Sequence, residues 1–204
     1  MKAKAVQHMV TTVAVVLVGL CNSFSQSNQS SGNSSSEINA KPLLLEKGEG
    51  ELRTRRIHTD GSSPASSQFM LKVSPKNNGS RDLVAGTEVL APGASLPKHR
   101  HLVQDEILLI QSGTAHVWLG EQERDLHAGG LVFIPANTWI SGKNVGTEPS
   151  ALTFIFSAPG FEDTMRCNSV PAGETPTQIT PEQQRDCAHL GHSESAGRPD
   201  NPKK

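Results

Sequence analysis

The chain has 204 residues, enough for one domain with its own core. Its formal net charge is −1 and it has no tyrosine, so a basic, base-stacking face for nucleic acid is not expected. The apolar run Val10–Leu20 is shorter than the roughly 20 residues a membrane span requires, so no stable span is expected either.

That run follows Lys2 and Lys4 and precedes the small-x-small triplet Ser23-Phe24-Ser25. Residues 1–25 read as a signal peptide cleaved before Gln26, which implies export to a periplasm or the extracellular space. Cys21 is preceded by Leu20 rather than a small residue, which argues against a lipoprotein. Residues 26–40 form a Ser/Asn tract, too polar to offset chain entropy by burial, and read as a disordered linker.

The folded domain is expected over residues 41–166. Lys41–Leu52 reads as an edge strand, extended through Arg53–Ile57, with Arg53, Arg55 and Arg56 solvated on its outer face. Asp60–Ser67 is a turn-rich loop, Phe69–Val73 alternates as a strand, and Ser74–Arg81 reads as a hairpin connection. Leu83–Leu90 is a further strand, and Ala91-Pro92-Gly93 turns the chain into the segment that carries the histidines. Further strands are expected at Thr114–Leu119, Leu131–Ile134 and Ala151–Phe156, with turns at Gly113, Gly129-Gly130 and Asn144–Ser150. Short strands separated by Gly, Pro and Asn imply an all-β barrel or a double-sheet jelly roll.

Residues 167–204 read as a C-terminal extension. Thr180-Pro181 places an N-cap before a helix-starting proline, so a short helix to about Leu190 is expected, then a disordered tail from Gly191. Cys167 and Cys187 are the two cysteines left after cleavage. In an oxidising compartment a disulfide is the favoured reading over a metal site shared with His189 and His192.

The chemistry concentrates between Gly93 and Gly113. His99 and His101 are two residues apart, so on a strand both imidazoles point to one side. Glu106 opens the next apolar run and can join them if the two strands pair. Two imidazoles and a carboxylate, with positions left open, suit Fe, Mn or Zn.

The spacing Gly93, His99, His101, Glu106, Gly113 resembles the first motif of the cupin superfamily. Gly129–Asn144 resembles the second motif through Gly129, Pro135 and Asn144. Two positions depart from it: Asn137 stands where glycine is usual, and Ile140 where a third histidine is usual. The resemblance covers roughly residues 69–161. It implies a cupin-type double-stranded β-helix, a divalent ion on His99, His101 and Glu106, a small-molecule ligand or substrate, and a homodimer. Small secreted single-cupin proteins that end the barrel in a phrase like FSAPGFEDTMRC are similar.

Three functions stay open at this point. A metalloenzyme would act as a dioxygenase with Fe or Mn, or as an isomerase or decarboxylase with Zn. A non-catalytic module would bind a sugar or an aromatic molecule, and a structural barrel would do neither. His116, Gln111, Phe133 and Phe154 are the candidate pocket residues, although His116 also reads as a surface side chain. No second carboxylate stands out as a general base.

Overall fold

The computed structural model describes residues 40–62 and 64–196. The expected signal peptide, most of the expected linker and the final eight residues lie outside the described residues. The unit that contains the fold is residues 37–204.

The first strands are β1 (Glu51–Arg55), β2 (Ile57–His58) and β3 (Gln68–Val73). Residues 41–50, expected as an edge strand, have no strand structure. The expected hairpin connection after β3 holds a short helix, α1 (Pro75–Asn78), because the Ser74 side chain caps it and Pro75 opens it. Then come β4 (Val84–Leu90), β5 (Ser95–His101), β6 (Glu106–Ser112), β7 (Thr114–Leu119) and β8 (Gln122–His127). The barrel closes with β9 (Leu131–Ile134), β10 (Ile140–Asn144) and β11 (Ser150–Phe156).

Two antiparallel sheets carry the fold. One has the order β12-β1-β3-β4-β11-β6-β9, where β12 is Ser169–Pro171. The other has the order β14-β5-β10-β7-β8, where β14 is Ser193–Ser195. Alternation fills the space between them. Val84 and Leu90 of β4, Leu108 and Ile110 of β6, and Leu152, Phe154 and Phe156 of β11 are all buried. Ala115, Val117 and Ile140 are buried on the other sheet. Each such aliphatic or aromatic side chain contributes roughly 1.5–3 kcal/mol by leaving water.

Two glycines are required by geometry. A Cβ on Gly86 would sit 2.4 Å from the Phe154 ring, so glycine lets that ring lie against β4. Gly113 has φ 79°, and a Cβ there would meet the Ser150 backbone at 2.7 Å. Asn144, fully buried, bonds to the carbonyls of Leu90 and Glu148 and fastens β10 to the turns beside it.

The C-terminal part is more ordered than its sequence suggests. Helix α2 (Phe161–Cys167) leads into β12. β13 (Gln178–Ile179) pairs in parallel with β2. Helix α3 (Pro181–Leu190) follows, with a full capping box between Thr180 and Gln183. The expected disordered tail instead begins with β14, which pairs with β5 through Ser193 opposite His101 and Ser195 opposite His99. A disulfide joins Cys167 at the end of α2 to Cys187 in α3.

The arginines are another difference. Arg53 bonds to Glu51 and Ser169, and Arg55 to Glu88, both largely buried. β1 is covered by β12 rather than lying at a free edge, so its arginines find partners instead of water. Arg56 alone keeps exposed partners, the Thr177 hydroxyl and the Gln178 carbonyl.

Candidate metal centre

His99 and His101 leave the same face of β5, and Glu106 begins β6. The two strands are not neighbours, so the condition under which the sequence lets Glu106 join the histidines is not the one that brings it there. β5 pairs with β10 and β14, whereas β6 pairs with β11 and β9. The carboxylate therefore approaches the imidazoles across the barrel from the facing sheet. One ligand atom from each of the three residues lies within 4.8 Å of the others.

Two contacts orient the set. His99 Nδ1–H donates to the Pro97 carbonyl at 2.7 Å, which leaves Nε2 with its lone pair. His101 Nε2 lies 3.1 Å from Glu106 Oε2, with both side chains buried. His101 Nδ1 is buried with no hydrogen-bond partner among the described residues, so only His99 has an outer partner on its second nitrogen. Burial pushes the His99 pKa below its ordinary value. The neighbouring His101 acts in the same direction, and Glu106 partly opposes them.

These residues fit a divalent cation. Bonds of roughly 2.0–2.2 Å place two donors of one tetrahedral ion about 3.4 Å apart, so a pair at the outer limit of this cluster closes by about 1 Å on binding. A neutral imidazole and a carboxylate are the forms that ligate.

Aromatic rings wall the site. Phe161 of α2 stacks on His99 at 6.2 Å between centroids and meets His101 edge-on at 4.3 Å. Phe156 lies 5.0 Å from His101. The rings open onto a cavity of ≈ 190 Å³ bordered by His99, Glu106, Phe154 and Phe156. Residues of α2, α3 and β14 form one side of it, among them Thr164, Gln184 and Ser193.

Of the four candidate pocket residues, Phe154 lines this cavity and the other three do not. Glu106, Leu108 and Ile110 are the buried residues of β6, so Gln111 has the opposite parity and is exposed. Phe133 pairs with Ile107 on the outer face and is 53% exposed. His116 leaves the outer face of β7, where Nδ1 lies 2.6 Å from Asp125 Oδ1 and the ring 4.2 Å from Trp118. Val132 of β9 and Val117 of β7 take the inward positions.

Ile140, at the departed histidine position, is buried and is the cross-strand partner of His99. Trp139 points the other way and packs under Arg100 at 4.8 Å and Lys98 at 5.7 Å. Asn137 adopts φ 65°, the left-handed conformation that makes glycine usual there. Its N–H donates to the His101 carbonyl at 2.7 Å and ties this turn to the histidine strand.

Sequence reasoning missed Glu88 and Phe161. Glu88 shares the inward parity of Val84, Gly86 and Leu90, and a carboxylate on that apolar face was the available signal. Phe161 left no such signal, because its role depends on where α2 packs.

Residues 86–156 match the family model of the cupin domain. The chain carries a cupin domain. Among similar solved structures is the cupin domain of Cnp3 from Schizosaccharomyces pombe, 19% identical, with 48% of this chain and 69% of that chain covered and a TM-score of 0.41. A sugar phosphate isomerase of the cupin superfamily from Silicibacter pomeroyi is 16% identical, with 58% and 77% covered and a TM-score of 0.47. An oxalate decarboxylase from Lactobacillus farciminis is 20% identical, with 48% of this chain but only 30% of that chain covered and a TM-score of 0.44. No curated protein matches the chain.

Proposed function

We propose that this cupin domain binds one divalent ion through His99, His101 and Glu106 and acts on a small molecule in the adjoining cavity. The observation that carries this reading is the convergence of three donors from facing sheets within 4.8 Å. Bound Fe or Mn supplies dioxygenase chemistry, and bound Zn supplies Lewis-acid polarisation of a carbonyl.

The chain's own residues prepare the site. Pro97 holds His99 in the tautomer that frees Nε2. Phe156 and Phe161 keep water from the histidines. Ile140, buried opposite His99, puts an aliphatic side chain where a fourth donor would otherwise stand. The mature protein works after export, as the signal-peptide reading of residues 1–25 implies, and the Cys167–Cys187 bond suits an oxidising compartment. It assembles as a homodimer, as the cupin resemblance implies. The outer face that holds Phe133 and Leu131, both more than half exposed, supplies apolar surface for that contact.

The test is an O₂-consumption screen over catechols, flavonols and small keto acids with Fe- and Mn-loaded protein, alongside a carbonyl isomerisation and decarboxylation screen with Zn-loaded protein. Turnover that disappears in His99→Ala supports the enzyme. Tight ligand binding without turnover under any metal supports the second reading, a non-catalytic small-molecule carrier, which the mostly apolar cavity wall favours.

A further inference from the structure

The cavity holds a second carboxylate away from the candidate metal centre. Glu88 projects inward from β4, lines the cavity and is 7% exposed. An ionised carboxylate buried this deeply requires partners, and two are present. Arg55 Nη2 donates to Glu88 Oε1 at 2.7 Å, and the Ser66 hydroxyl donates to the same oxygen. The Arg55 guanidinium is itself fixed over the Phe69 ring, 4.7 Å from its centroid.

Both donors therefore converge on one oxygen. Glu88 Oε2 has no hydrogen-bond partner among the described residues, and it is not among the buried atoms that lack one, so it keeps accessible surface. The walls around it are largely apolar, including Leu108, Leu152, Phe154 and Met165. A fixed acceptor in an apolar enclosure rewards a ligand that brings a donor and penalises one that brings only acceptors.

We propose that Glu88 is the specificity-determining residue of this cavity. Its Oε2 accepts a hydrogen bond from the ammonium or hydroxyl group of a small, mostly apolar ligand, whose other end meets His99 and Glu106. The inference rests on the reading of the cavity as the place where that small molecule acts. Arg55 and Ser66 are positioning residues: they hold Oε1 and so aim Oε2.

The experiment is calorimetric titration of the mature protein with benzylamine and with benzoate, as isolated and after chelator treatment. Glu88→Gln is measured beside wild type. Arg55→Leu/Glu88→Leu is a second variant that removes both charges and leaves neither buried alone. Wild type is expected to bind benzylamine, and both variants are expected to shift the benzylamine-to-benzoate affinity ratio at least about tenfold toward benzoate, with and without metal. No benzylamine binding at millimolar concentration, or an unchanged ratio in a folded variant, overturns the proposal. Metal content is read on the same samples. A metal-loaded wild type without amine preference defeats this proposal alone, whereas amine preference in protein that never takes up metal defeats the metal reading alone.

Discussion

Ile140 lies directly opposite His99 on the neighbouring strand, with both residues at inward positions of one sheet. Cross-strand partners have Cβ atoms about 4.5–5.5 Å apart. An imidazole placed at 140 would therefore reach the same centre as His99. At residue 140 the departure from the second motif is a change of side chain on an intact frame.

Ile140→His is therefore expected to tighten binding of Zn or Mn at least about tenfold by supplying a fourth donor. Competition titration against a metal indicator measures this. Unchanged affinity would place residue 140 outside the coordination sphere.

Phe161 holds α2 against both histidines. Phe161→Ala should lower stability by about 2–4 kcal/mol, less than full burial would give because the ring is partly exposed. It should also speed carbethoxylation of His99. Denaturant melts and mass spectrometry of modified His99 check the two effects separately.

The disulfide pins α2 to α3 and closes a loop with a sequence separation of 20. Replacing both cysteines with serine should cost about 3 kcal/mol by the chain-entropy estimate. Hydrogen exchange should rise first in α3, which carries Cys187, and in β14, which follows it. Exchange that rises uniformly across the barrel would argue against a separable cap.

Arg166, beside Cys167 in the last turn of α2, anchors the helix to β1 by bonding to Glu51 at 2.7 Å. Burial opposes ionisation of Glu51, but hydrogen bonds and charge from Arg166 and Arg53 outweigh it and lower the pKa below its usual 4.5. A depressed folded pKa gives stability that is present above the unfolded value and lost as pH falls through the folded one. The Tm gap between wild type and Glu51→Gln should accordingly be widest near neutral pH and shrink below about pH 4. A gap that stays constant with pH would assign the loss to packing.

The sequence carried much of this architecture in two kinds of signal. The i, i+2 spacing of His99 and His101 gave their shared face, because side-chain alternation on a strand is a local property. The same parity excludes Gln111 and Phe133 from the interior once Glu106 and Phe154 are placed inside. That β5 and β6 lie in facing sheets was not readable, since a barrel brings consecutive strands together in opposite sheets as readily as side by side. β10, with the sequence ISGKN, lacks the apolar alternation that marks a strand and is held by its neighbours β5 and β7. Ser193 and Ser195 carry no strand signal either, because β14 forms only on the edge that β5 offers.

The most direct measurement is the metal content of the mature protein, prepared without an affinity tag, by elemental mass spectrometry, with His99→Ala prepared in parallel. The account predicts about one equivalent of Fe, Mn or Zn per chain in wild type, and a large loss in the variant with the fold retained. Wild type that stays metal-free after incubation with each ion, or a variant that keeps its full equivalent, would contradict it.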